Sequence, residues 1–70
     1  MRYRDLARRL RKLGCMELRA GKGSHQIWHN PATDLVASIP HWGSKDLAPG
    51  TVRAVLRELG ITRREFGPVK

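Results

Sequence analysis

Three histidines, His25, His29 and His41, are the side chains of this 70-residue chain best suited to chemistry at neutral pH. An imidazole can take and give a proton near pH 7. Cleavage of an RNA phosphodiester asks for that: a base for the 2′-OH and an acid for the leaving 5′-oxygen. His25 lies at the mouth of a glycine turn, Gly21-Lys22-Gly23-Ser24, among cationic residues able to hold a phosphate. The turn is no P-loop, because its second glycine is not followed by Lys-Ser or Lys-Thr and a strand rather than a helix follows. Its backbone N–H groups could still face one phosphate. Metal ligation is the competing use of the histidines. His25 and His29 are four apart, a spacing of about 13 Å on a strand, too wide for one first-row ion. No cysteine or carboxylate cluster accompanies His41, so no metal or other cofactor is expected. Residue type and spacing alone leave His25 open between a structural and a catalytic role.

Two aromatic residues carry a second kind of chemistry. A base stacked on an exposed ring gains about 1–3 kcal/mol. Trp28 and Ile27 are neighbours in a strand and point to opposite faces, so Trp28 is either core or stacking platform. Trp42, beside Gly43 in a loop, is the better exposed candidate. The single Cys15, next to Met16, is expected in the core rather than as a nucleophile.

These residues need elements to position them. Tyr3, Leu6, Ala7, Leu10 and Leu13 recur at helical spacing and predict an amphipathic helix over 2–13 that stops at Gly14. Arginines 2, 4, 8, 9 and 11 and Lys12 fill its other face. The period then becomes two: Met16, Leu18 and Ala20 alternate with Glu17 and Arg19, predicting a half-buried strand with the apolar set inward. A second strand spans 24–30 and ends at Asn30-Pro31. A third spans 35–39, with Leu35, Ala37 and Ile39 on one face and Pro40 after it. After a loop over 41–48, Pro49 suits the first turn of a helix, with Val52, Val55, Leu56 and Leu59 inward and Gly60 as its end. Thr62 and Glu65 have capping-box spacing for one more short turn. The expected fold is α+β, in the order α-β-β-β-α. Both helices pack on one face of a three-stranded antiparallel sheet, in one domain spanning residues 1–70.

Composition narrows the partners. Fourteen Lys and Arg against six Asp and Glu give +8 with histidine neutral. On so small a surface that favours a polyanion, nucleic acid first. The lone cysteine fits a reducing compartment, and neither a signal peptide nor a membrane-spanning run is read, so a cytoplasmic location without membrane association is expected.

Taken in order, Gly23-Ser24-His25, Ile39-Pro40, Lys45-Asp46-Leu47, Pro49-Gly50-Thr51, Val52-Arg53-Ala54-Val55-Leu56 and Gly60-Ile61 resemble the HicA toxin family. These are the mRNA interferases of HicA–HicB toxin–antitoxin pairs, and the resemblance runs from about Tyr3 to Phe66. It implies a fold similar to double-stranded-RNA-binding domains, with His25 as the catalytic residue of metal-independent mRNA cleavage. It also implies a HicB-type antitoxin that covers the site. On that basis Lys22, Gly23 and Ser24 are expected to position the scissile phosphate. Arg4, Arg8, Arg11 and Lys45 would hold the RNA backbone, and the free protein would be a monomer. The sequence departs from the family where Trp42 replaces a histidine two places after the proline that ends strand 3, with His41 one place earlier. Cys15 likewise replaces a bulky aromatic. A non-catalytic RNA-binding module of the same fold is the alternative.

Overall fold

The computed structural model describes residues 1–69, in the order α1 (Tyr3–Lys12), β1 (Met16–Ala20), β2 (His25–Asn30), β3 (Leu35–Pro40), α2 (Pro49–Glu58) and a single turn α3 (Arg63–Phe66). The sheet is antiparallel in the order β1-β2-β3. The expected α+β architecture is the one observed. The α1 stripe of Tyr3, Leu6, Ala7 and Leu10 and the α2 stripe of Val52, Val55, Leu56 and Leu59 join Trp28, Ala37 and Ile39 in one buried cluster. Both helices therefore cover the same sheet face. The other face, carrying His25, Ile27 and His29 from β2, has no layer over it among the described residues.

Local chemistry sets the element ends. The Arg2 N–H donates to Asp5 Oδ2 at the start of α1, and Gly14 takes φ +91 just past its end, a conformation glycine adopts without penalty. At α3 the reciprocal cap is present: Glu65 N–H donates to Thr62 Oγ1 (3.1 Å) and Thr62 N–H to Glu65 Oε1 (2.9 Å). Arg9, on α1, clasps the C-terminal segment by donating to the carbonyls of Phe66 and Pro68 and lying over the Phe66 ring. Cys15 is buried, as expected.

Strand β1 corrects the sequence reading. Its larger apolar residues do not point inward: Met16 and Leu18 are about half exposed, and every residue of the strand is open to solvent. Met16 pairs with His29 and therefore shares the open face, whereas Glu17 pairs with Trp28 on the helix side, and an irregularity follows between Glu17 and Arg19. Ahead of that irregularity the phase is inverted because Glu17 has partners inside: it accepts from Tyr3 Oη at 2.7 Å and lies 3.5 Å from Arg11 Nη2. Beyond it Ala20 pairs with Gln26 and returns to the helix side. Leu35, also expected inward, is 44% exposed at the sheet's end.

Trp28 is fully buried, which decides its role as core. Its indole N–H donates to Tyr3 Oη at 2.9 Å, and the Tyr3 hydroxyl in turn donates a hydrogen bond to Glu17. Burial first, and the Glu17 hydrogen bond second, push the Tyr3 phenol from its ordinary 10.0 up to about 12. The folded state thus holds the neutral phenol more tightly than the unfolded chain does. That stabilisation is complete below pH 10 and is lost as pH rises through about 12. Tyr3 is the one tyrosine in the chain, so tyrosinate absorbance reads it directly: in the native protein it should appear near pH 12, and in denaturant near 10. Equal midpoints in the two conditions would contradict the buried Tyr3 network.

Candidate active site

The turn between β1 and β2 is built by its glycines. Gly23 takes φ +63, where a side chain would be strained, and a Cβ on Gly21 would stand 3.0 Å from Ile27 Cδ1. One glycine is required by conformation and the other by close approach. The turn closes through Gly21 N–H on the His25 carbonyl (2.8 Å) and His25 N–H on the Lys22 carbonyl (3.2 Å). His25 is thereby the first residue of β2, half-buried at the sheet's end and paired with Pro40.

The ring of His25 is oriented by the same carbonyl: Nδ1 lies 3.2 Å from Lys22 O. A carbonyl only accepts, so the neutral imidazole carries its proton on Nδ1, leaving the Nε2 lone pair free. Among the three histidines this arrangement is particular to His25. His29 Nε2 is engaged with Asp34 Oδ1 at 2.9 Å. His41 stacks on the Tyr3 ring, with centroids 4.0 Å apart and a tilt of 33°.

Other expected site residues meet nearby. His41 N–H donates to Ser24 O at 2.8 Å, bringing the loop after β3 against the turn. A depression of about 490 Å³ there is walled by Ser24, His41, Trp42, Lys45 and Asp46. A second, of about 280 Å³, shares His41 and adds Arg2, Arg4, Gly43 and Ser44. Ser24, Lys45 and Arg4 thus gather around one loop; His25 lines neither depression, and Ser24 is its neighbour in the chain. Lys22 and Gly23 are exposed on the adjoining turn. Arg8 and Arg11 stand apart from these depressions. Arg8 pairs with Asp5 at 3.2 Å, while Arg11 lies near Glu17 and over the Trp28 ring. Exposed pairs of this kind are worth about 0–1 kcal/mol, so a phosphate competes for either arginine at little cost. Another depression, on the α2–α3 side, is lined by Arg53, Arg63 and Arg64 and contains no histidine.

Two contributors have no signature in the sequence: the Lys22 carbonyl that sets the His25 tautomer, and Tyr3 as the platform under His41. Among the described residues no group of three His, Cys, Asp or Glu side chains is arranged to hold a metal ion. Likewise no described helix is long and apolar enough to cross a membrane.

Two helices on one face of a three-stranded antiparallel sheet, in the order α-β-β-β-α, define a domain like the double-stranded-RNA-binding domains, here with a basic surface and a histidine on its glycine turn. The family model described as HicA toxin of bacterial toxin–antitoxin systems matches residues 3–61. The chain belongs to the HicA toxin family, and membership implies an RNase toxin. No curated protein and no solved structure matches it.

Proposed function

We propose that the chain is a metal-independent endoribonuclease that cleaves mRNA with His25 as its general base, held inactive by a HicB-type antitoxin. The observation that carries this reading is the free Nε2 of His25, aimed by a backbone carbonyl and flanked by lysine, serine and glycine. In the reaction, Nε2 takes the proton of the 2′-OH and the 2′-oxygen attacks the adjacent phosphorus. The bond from phosphorus to the 5′-oxygen breaks, and that oxygen leaves with a proton from solvent. The products carry a 2′,3′-cyclic phosphate and a 5′-hydroxyl. Lys22, the Gly23 backbone N–H and Ser24 position the scissile phosphate. Lys45 and Arg4, with Arg8 and Arg11 farther along α1, hold the flanking phosphates.

The antitoxin part of the reading rests on family membership. The uncovered sheet face supports it, because Met16 and Val36 leave more than half their surface exposed on the face that carries His25.

The test is an RNA with a single 2′-deoxy substitution at the mapped cleavage position, assayed in EDTA. Loss of cleavage at that position alone is expected. Continued cleavage there would remove the 2′-OH mechanism, and loss of all cleavage in EDTA would remove the metal-free one. Binding by lysine and arginine also releases counterions, so affinity for RNA should fall by orders of magnitude between about 50 and 200 mM salt. A flat response in filter binding would contradict a phosphate-dominated interface.

A further inference from the structure

Four aromatic side chains are present, and three are in the core: Tyr3, Trp28 and Phe66 are at most 6% exposed. Trp42 is 47% exposed, and it walls the depression that also includes Ser24, the chain neighbour of His25. The loop that carries it is held at several points. His41 N–H is bonded to Ser24 O, Lys45 N–H closes a turn on Trp42 O, and Leu47 N–H donates to Met1 O while its side chain is buried. Gly43 supplies the positive φ, +62, that this turn requires. A large ring on a turn held at these points loses less freedom when a flat ligand covers it than one on an untethered loop. The other walls suit a nucleotide. Lys45 is a cation for its phosphate, Ser24 offers a hydroxyl, and Asp46 is an acceptor that a base amino group can satisfy. The Asp46 carboxylate stands 3.5 Å from the Met1 amino nitrogen, which offsets its charge beside a phosphate.

We propose that Trp42 is a specificity residue: an unpaired base next to the scissile phosphate stacks on its ring, so the site selects single-stranded RNA over duplex. The proposal rests on the RNA reading above and deepens it. A base in a duplex is stacked on both faces and cannot reach the ring; an unpaired one can, for any base, because each has a π-face.

The test uses His25→Ala as the background, so that RNA stays intact during binding. Its affinity for a 12-nucleotide oligoadenylate and for a 12-base-pair RNA duplex is compared with that of His25→Ala/Trp42→Ala and His25→Ala/Trp42→Phe. The expected result is a loss of about tenfold or more for the single strand on Trp42→Ala, substantial retention on Trp42→Phe, and an unchanged duplex affinity. Oligoadenylate should also quench the tryptophan emission of the background protein, and Trp42→Phe should abolish that quenching, since Trp28 is inaccessible. Equal losses for both RNAs, no loss for either, or quenching that survives Trp42→Phe would each overturn the proposal. Circular dichroism confirms that each variant is folded, as a half-exposed loop position permits. The outcome is separable from catalysis. If the wild-type chain fails to cleave RNA while Trp42-dependent binding persists, the nuclease reading falls and the stacking site stands. If it cleaves and Trp42→Ala binds as before, only the stacking site falls.

Discussion

His25→Ala should lower the single-turnover rate of RNA cleavage by about 10²–10⁴ and leave the circular dichroism spectrum unchanged. The size of the effect follows from the role. A positioned base contributes that much, while the cations and hydroxyl around the turn still bind and orient the phosphate. The fold should survive because His25 is only half-buried at the first position of β2, and its ring contact is one exposed hydrogen bond to the Lys22 carbonyl. His29→Ala is the matched control: its Nε2 already serves Asp34, so its loss should leave the rate within a few-fold of wild type. A large rate loss in His29→Ala with little in His25→Ala would exchange the two roles and contradict the assignment.

Trp28→Ala should leave the chain largely unfolded at 25 °C. Emptying a fully buried tryptophan site costs about 3–5 kcal/mol, and a domain of this size has roughly 3–5 kcal/mol in total. Trp28 is completely buried at the centre of the sheet, and its indole N–H is the donor that satisfies the buried Tyr3 oxygen. Trp28→Phe keeps most of the volume but removes that donor and leaves a small gap, so it should stay folded with stability reduced by about 1–3 kcal/mol and a correspondingly lower urea midpoint. Urea titration followed by circular dichroism separates the two. A cooperative transition for Trp28→Ala near the wild-type midpoint would show that the core does not depend on this residue.

Element order was legible because apolar periodicity switches between 3.6 and two, with Gly14, Pro40, Pro49 and Gly60 marking the boundaries. The phase of β1 was not, since Met16 and Leu18 make an alternation that would suit either face. What selects the face is Tyr3, fourteen residues before Glu17, and a contact between distant residues leaves no period behind. The same contact network resolved Trp28, whose indole needed a partner before it could be buried. Arg9 shows the limit for charges: it sits in a run of cations that looks uniformly solvated, yet it fastens the C-terminal segment. At the site, the glycine turn and His25 stood out in sequence, whereas the bond that exposes Nε2 comes from a backbone carbonyl and has no residue identity to read.

The most direct measurement is a cleavage assay of matched wild-type and His25→Ala proteins. Both are checked for folding, then incubated with the same long mRNA in EDTA. Fragments from the wild type alone are the predicted result. Fragments from both proteins, or from neither while both shift the RNA on a gel, would contradict a His25-centred nuclease; in the second case the glycine turn would belong to an RNA-binding module without chemistry.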